Sequence, residues 1–173
     1  MENWVNSRLS GPSVRSAPAV TSSATLTAER VVILEEAEKN TVLTRLVDLL
    51  AESPFVHNRE ELLQGIFARE KLMSTGIGFG VGVPHVRIDS VSDLVMAVAV
   101  CKTPIADYGS LDNQPVQIVC MLAARSDQHA QYIRTLSAIS SRLKDPETRA
   151  RIIASDDPTF IHRQLIGEGA ADA

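Results

Sequence analysis

The sequence predicts an α/β domain, with helices covering both faces of a central sheet that mixes parallel and antiparallel strands. Three observations carry this. Apolar runs of strand length are interleaved with segments whose apolar residues recur at three- and four-residue steps. Several strand connections are too short for a helical crossover, so antiparallel neighbours are expected beside parallel ones. The chain has 173 residues, 45% apolar and 22% charged, with no internal repeat, which suits one core and a tail.

Residues 1–25 are rich in Ser, Pro, Ala, Thr and Val and show no useful periodicity. They are expected to form a flexible N-terminal arm, with Trp4 its one sticky residue. The pattern changes at Leu26, and the domain is expected to occupy 26–173. Val31–Leu34 fits a short strand. Val42, Leu43, Leu46, Val47 and Leu50 then mark a helix from about Lys39 to Ala51. Asn58 with Glu61 is a capping pair for a second helix, whose buried stripe is Leu62, Leu63, Ile66 and Phe67 and whose end is near Glu70.

Glycine then occupies alternate positions from Gly76 to Gly82, and the run closes on Val83-Pro84-His85. Leu94–Cys101 and Val116–Ala123 read as buried strands, separated by a turn at Asp112-Asn113-Gln114-Pro115. Ser126 or Asp127 is expected to cap a long helix carrying Tyr132, Ile133, Leu136, Ile139 and Leu143. Asp145-Pro146 and Asp157-Pro158 open two short helices, each as an N-cap followed by proline at the first helical position.

Charge and composition narrow the function. The formal net charge is −4, without the basic footprint of a nucleic-acid binder. No run approaches the ~20 apolar residues of a membrane span, so no membrane insertion is expected. Met1–Ser10 lacks the apolar region of a secretion signal. Cys101 and Cys120 lie inside apolar runs with no C-x-x-C spacing and read as buried thiols. Both points favour the cytoplasm. The four histidines, at 57, 85, 129 and 162, lack close ligand spacing, so no metal is expected. His57 and His162 read as surface residues, and Arg142, Lys144, Arg149 and Arg151 as a solvated face.

The glycine run fits neither nucleotide motif. Its spacing is G-x-G-x-G-x-G between a helix and a strand, and no Gly-Lys-Ser/Thr closes it. Alternating glycines instead strip one strand face of side chains and allow close approach. Pro84 stiffens the chain, so His85 is expected at a strand end beside a bare surface that a protein partner can reach. A histidine that is mostly neutral at pH 7 has the lone pair a phosphoryl acceptor needs. Backbone N–H groups of Gly78 and Gly80 and an arginine fork, Arg69 or Arg87, are candidates to hold the anion.

Arg69-Glu70-Lys71, Ser74-Thr75-Gly76-Ile77-Gly78 and Val83-Pro84-His85 resemble the enzyme IIA domain, fructose/mannitol type, of the bacterial phosphoenolpyruvate-dependent sugar phosphotransferase system. That type includes the nitrogen-regulatory members. Asp112-Asn113-Gln114-Pro115-Val116 and Thr135-Leu136-Ser137 with Arg142-Leu143 extend the resemblance over about 30–166. It implies a three-layer α/β/α sandwich with a mixed sheet and no organic cofactor. It implies that His85 takes a phosphoryl group from the histidine-containing phosphocarrier protein, with Arg69 close by. The group would then pass to a IIB domain or serve regulation. Many members carry a second histidine where Tyr132 stands; His129, one turn earlier, is a candidate to compensate. Phe79 and Val86 also depart from the pattern, replacing a polar and a small residue. The rival expectation is a non-catalytic regulatory binding module of the same fold, controlling a transporter or kinase.

Overall fold

The computed structural model describes residues 25–35 and 38–168. The expected arm, Trp4 included, lies outside the described residues except for Thr25. That residue is buried, and its carbonyl accepts the Met96 N–H at 2.8 Å. A 3-10 turn at Ala28–Arg30 leads into β1 (Val31–Leu34), then α1 (Lys39–Ala51) and α2 (Arg59–Leu72). Short strands β2 (Gly76–Gly78), β3 (Val81–Gly82) and β4 (His85–Arg87) precede long β5 (Val95–Ile105) and β6 (Val116–Ala124). Helices α3 (His129–Lys144), α4 (Pro146–Ala154) and α5 (Pro158–Ile166) close the domain.

The six strands form one sheet in the order β1-β5-β6-β3-β2, and β4 also pairs with β6. β5 and β6 are antiparallel, β1 is parallel to β5, and β3 and β4 are parallel to β6. The sheet is therefore mixed, as predicted. Alternation along β5 sends Met96, Val98 and Val100 into one core and Val95, Ala97, Ala99 and Cys101 into the other. The first core packs under α3, α4 and α5 through Ile139, Leu143, Ile152, Ile161 and Leu165. The second packs under α1 and α2 through Leu43, Leu46, Leu50, Leu62 and Ile66. Both faces of the sheet are thus covered, giving the three-layer sandwich. Cys120 and Cys101 fall in different cores, and burial pushes their thiols up to about 12 and about 11.

Local capping follows the sequence closely in three helices. Asn58 accepts the Glu61 N–H at 3.1 Å, Asp145 the Thr148 N–H at 3.0 Å, and Asp157 the Thr159 N–H at 2.8 Å. The long helix differs from expectation. Gln128, not Ser126 or Asp127, holds the N-cap position of α3 and makes no side-chain cap bond. Asp127 is engaged instead by Arg125 Nε at 2.5 Å. α2 runs two residues past Glu70, and β5 continues beyond Cys101 to Ile105. Lys102 masks that extension in the sequence. Its ammonium reaches the Ile153 and Ser155 carbonyls (3.2 and 3.1 Å) and Asp156 (2.7 Å) beyond α4.

Two surface expectations hold only in part: His57, Lys144 and Arg151 are exposed, whereas Arg142, Arg149 and His162 reach backbone carbonyls. Arg149 donates to the Leu143 and Lys144 carbonyls, both at 2.7 Å, and Arg142 Nε donates to the Gln164 carbonyl. They join α3, α4 and α5 rather than lying on a solvated face. His162 is half-buried, with Nε2 2.8 Å from the Leu26 carbonyl. It ties α5 to the segment before β1.

The glycine run is a hairpin, not one strand. β2 and β3 are antiparallel, and the turn between them passes through Gly78, Phe79 and Gly80, all at positive φ. Asp112 Oδ2 accepts the Phe79 N–H at 2.9 Å and fastens this turn. The face bared by the glycines is covered by the chain's own 108–112 segment. A Cβ on Gly82 would lie 2.5 Å from Tyr108 Cζ, and one on Gly76 would lie 2.7 Å from Ser110 Cα. Val86, in turn, packs its bulk against Gly65 of α2.

The Gly82→Ala substitution is expected to cost about 2 kcal/mol or more, because the aromatic ring beneath has no room to yield. Urea denaturation at constant slope is the measurement; an unchanged midpoint would refute the packing argument.

Candidate functional site

His85 begins β4, and its backbone position is set from both sides. Val83 N–H donates to the Thr75 carbonyl at 2.9 Å, and the Pro84 carbonyl accepts the Leu122 N–H at 3.0 Å. The ring lines a cleft of about 250 Å³ whose walls also include Arg69, Met73, Thr75, Gly76, Leu111, Leu136 and Ser140. His85 Nδ1 lies 2.6 Å from the Val83 carbonyl. A carbonyl only accepts, so Nδ1 carries the proton and Nε2 keeps its lone pair.

The ring's charge state follows from its surroundings. Burial holds its pKa below the ordinary 6.5; the Val83 bond works upward, the Arg69 charge downward and the Glu70 charge upward. The depressing influences win, so the imidazole is neutral at pH 7. Arg69, on the last turn of α2, spends one N–H on the Met73 carbonyl at 2.9 Å. The rest of its fork can take an anion beside the histidine. Tyr132 packs edge-on against His85, with ring centroids 5.6 Å apart and planes at 60°. Arg87 lies over the Tyr132 ring at 5.6 Å and donates to the Ser126 carbonyl at 2.9 Å. Burial raises the Tyr132 phenol, against Arg87 and Arg69, so it stays neutral.

The structure thus brings together His85, Arg69 and Tyr132, but not the other candidates. Gly78 N–H is already spent on the Ser110 hydroxyl at 3.1 Å, and Gly80 sits in the hairpin turn away from the cleft. Neither glycine lines the cleft; Gly76 does. His129 is exposed on the first turn of α3 and does not line it either. Among the described residues, no group of three or more His, Cys, Asp or Glu could hold a metal ion, and no helix is long and apolar enough to cross a membrane.

Sequence reasoning missed what stands behind the cleft. Glu70, only 7% exposed in its side chain, pairs with Lys39 at 2.8 Å. It accepts from Thr75 N–H (3.0 Å), Thr75 Oγ1 (2.8 Å) and Ser74 Oγ (3.2 Å). Lys39 also donates to the Tyr108 carbonyl at 2.7 Å and lies 4.3 Å over that ring. Burial works to raise the Glu70 carboxyl, but the bonds from Lys39 and Thr75 and the Lys39 charge hold it below the usual range. The one available signal was a carboxylate next to Arg69 at a helix end.

The structure places a neutral histidine and an arginine in one cleft of a mixed-sheet α/β/α sandwich, in agreement with the resemblance carried by the sequence motifs. Residues 24–167 match the family model "Phosphoenolpyruvate-dependent sugar phosphotransferase system, EIIA 2", and the chain belongs to that family. It is 30% identical over 148 residues to the fructose-specific EIIA component of Haloferax volcanii, covering 84% of this chain and 96% of the relative. It is 36% identical over 115 residues to the nitrogen regulatory protein of Escherichia coli K12, covering 64% and 69% of the two chains. The fold is shared with the crystal structure of nitrogen regulatory protein IIA-Ntr from Neisseria meningitidis, at a TM-score of 0.72 and 24% identity. That match covers 80% of this chain and 93% of the other.

The His85 pKa has a definite sign. Above about 6.5 the ring is neutral whether the chain is folded or not, and its full contribution to stability is present. As pH falls through the depressed folded value, the unfolded chain binds the proton more readily and that contribution is lost. NMR titration of the ring is expected to give a midpoint below 6.5, moved upward in Arg69→Gln. A midpoint at or above 6.5 in the unaltered chain would contradict this electrostatic account.

Proposed function

We propose that the chain is a phosphohistidine carrier of the phosphoenolpyruvate-dependent phosphotransferase system, with His85 as its acceptor. The observation that carries this is the 2.6 Å approach of His85 Nδ1 to the Val83 carbonyl. It assigns the proton to Nδ1 and the nucleophilic lone pair to Nε2, in a ring that lines a cleft with Arg69.

The transfer balances without a free proton. Nε2 of neutral His85 forms the new N–P bond as the donor's N–P bond breaks, and that electron pair returns to the donor nitrogen. The donor ring leaves neutral, and the His85 ring becomes a phosphorylated imidazolium that still holds its Nδ1 proton. The Val83 carbonyl then accepts from a cationic donor, and that hydrogen bond strengthens. The Arg69 guanidinium neutralises the moving phosphoryl oxygens.

The donor on this reading is the histidine-containing phosphocarrier protein, and the chain works in the cytoplasm. The next acceptor is a IIB domain in a transport role. The relation to a nitrogen regulatory protein favours a second use of the same chemistry, in which the phosphorylated state controls a transporter or kinase. Tyr132 bears on both uses, since its neutral phenol supplies a ring contact but no second imidazole.

Incubation with enzyme I, the phosphocarrier protein and labelled phosphoenolpyruvate tests the proposal. The expected product is an acid-labile label, absent from His85→Ala and formed about 100-fold more slowly in Arg69→Gln. Normal labelling of His85→Ala would overturn the assignment.

A further inference from the structure

Glu70 does not line the cleft, yet hydrogen bonds through two intervening residues, Thr75 and Val83, tie its position to that of His85. Lys39 Nζ donates to Glu70 Oε1 (2.8 Å), and the Thr75 N–H donates to the same oxygen (3.0 Å). The Thr75 carbonyl accepts the Val83 N–H (2.9 Å), and the Val83 carbonyl accepts from His85 Nδ1 (2.6 Å). From Glu70 to His85 each of these residues is held by the one before it, the carboxylate fixing Thr75, Thr75 fixing Val83 and Val83 meeting the imidazole. We propose that Glu70 is a positioning residue for His85: it pins the backbone that holds the Val83 carbonyl against Nδ1, and its charge favours the cationic ring formed on phosphoryl transfer.

The physical basis is a fixed backbone and a nearby charge. Thr75, held by the carboxylate, holds Val83 in place, and a negative charge close to an imidazole favours its cationic form. When His85 takes a phosphoryl group its ring becomes positive, and the Val83 carbonyl is the group its Nδ1 proton faces. A buried anion behind that backbone lowers the energy of the charged ring without touching phosphate.

The last turn of α2 therefore presents two opposite charges to one histidine. Arg69 lines the cleft, where the anion arrives. Glu70, the adjacent residue, fixes the backbone that reaches the ring's other nitrogen, Nδ1. The directions of their effects agree, since Arg69 depresses the proton affinity of His85 and Glu70 raises it.

The surroundings suit an anion held permanently at Glu70. Lys39 from α1 neutralises it, Ser74 and Thr75 donate hydroxyls, and the Tyr108 phenol lies 3.2 Å from Thr75 Oγ1. Tyr108 does not compete as an anion, because burial pushes its phenol far up. Around His85 the titratable and charged groups are Arg69 and Glu70 from α2 and Tyr132 from α3, with Arg87 of β4 stacked on that tyrosine. Of these groups, Glu70 alone is an acid that raises the proton affinity of the ring.

This inference rests on the carrier reading, and one pair of variants tests it separately. Glu70→Gln keeps the shape and removes the charge; Lys39→Gln keeps the carboxylate and removes its cation. NMR titration of His85 in the unphosphorylated protein is expected to move down in Glu70→Gln and up in Lys39→Gln. The labelling rate is expected to fall about ten-fold in Glu70→Gln, within the range for partners that orient a functional histidine. A merely structural role would move both midpoints the same way or neither, and either result overturns the proposed effect of the Glu70 charge. If Glu70→Gln does not fold, an unmoved or lowered midpoint in Lys39→Gln overturns it alone. An unaltered chain that takes no label overturns the carrier reading on which this one rests.

Discussion

The hydrogen bond between His85 Nδ1 and the Val83 carbonyl governs what this cleft can do. An imidazole free to choose its tautomer would divide its lone pair between two nitrogens. Here one nitrogen is committed, so the other is the nucleophile. Much of the local backbone serves that commitment. Pro84 fixes its own φ, and Thr75 and Leu122 pin the backbone on either side. Even the polar cluster of Lys39, Glu70, Ser74, Thr75 and Tyr108 meets the bond through Thr75.

That polar cluster also explains the shape of the glycine run. Tyr108 must lie flat beneath the β2–β3 hairpin to present its carbonyl to Lys39 and Ser74 and its hydroxyl to Thr75. Gly82 makes room for its ring. Beyond it the chain reverses through three residues at positive φ, and one of these, Phe79, is neither glycine nor asparagine. A bulky residue there costs local energy. Its N–H to Asp112 and the Arg149 guanidinium 5.1 Å over its ring oppose that cost.

Much of this architecture was legible in the residues. Periodicity located α1 and α2, Asn58, Asp145 and Asp157 announced three helix starts, and apolar runs marked the two central strands. His85 and Arg69 stood out because their chemistry is local to a motif. What escaped was whatever depends on distant chain segments. The glycines read as a bare strand because the aromatic residue that fills them lies 26 positions beyond Gly82. Arg142 and Arg149 read as solvated because carbonyls at helix ends cannot be seen in a one-dimensional pattern. Lys102 hid the length of β5, since a charged head conceals an apolar stem. Glu70 was visible only as a neighbour of Arg69, and its role needs Lys39, 31 residues earlier.

The contact between His162 and Leu26 has a consequence for biogenesis. It spans 136 residues, and the strand that follows Leu26 finds its sheet partner only in β5. At a ribosomal pace of ~10 residues per second, the earliest part of this domain waits roughly 14 s for its closing helix. Throughout that interval its apolar residues have no finished layer to enter, so nascent chains are most exposed to chaperones and to one another at the amino-terminal edge.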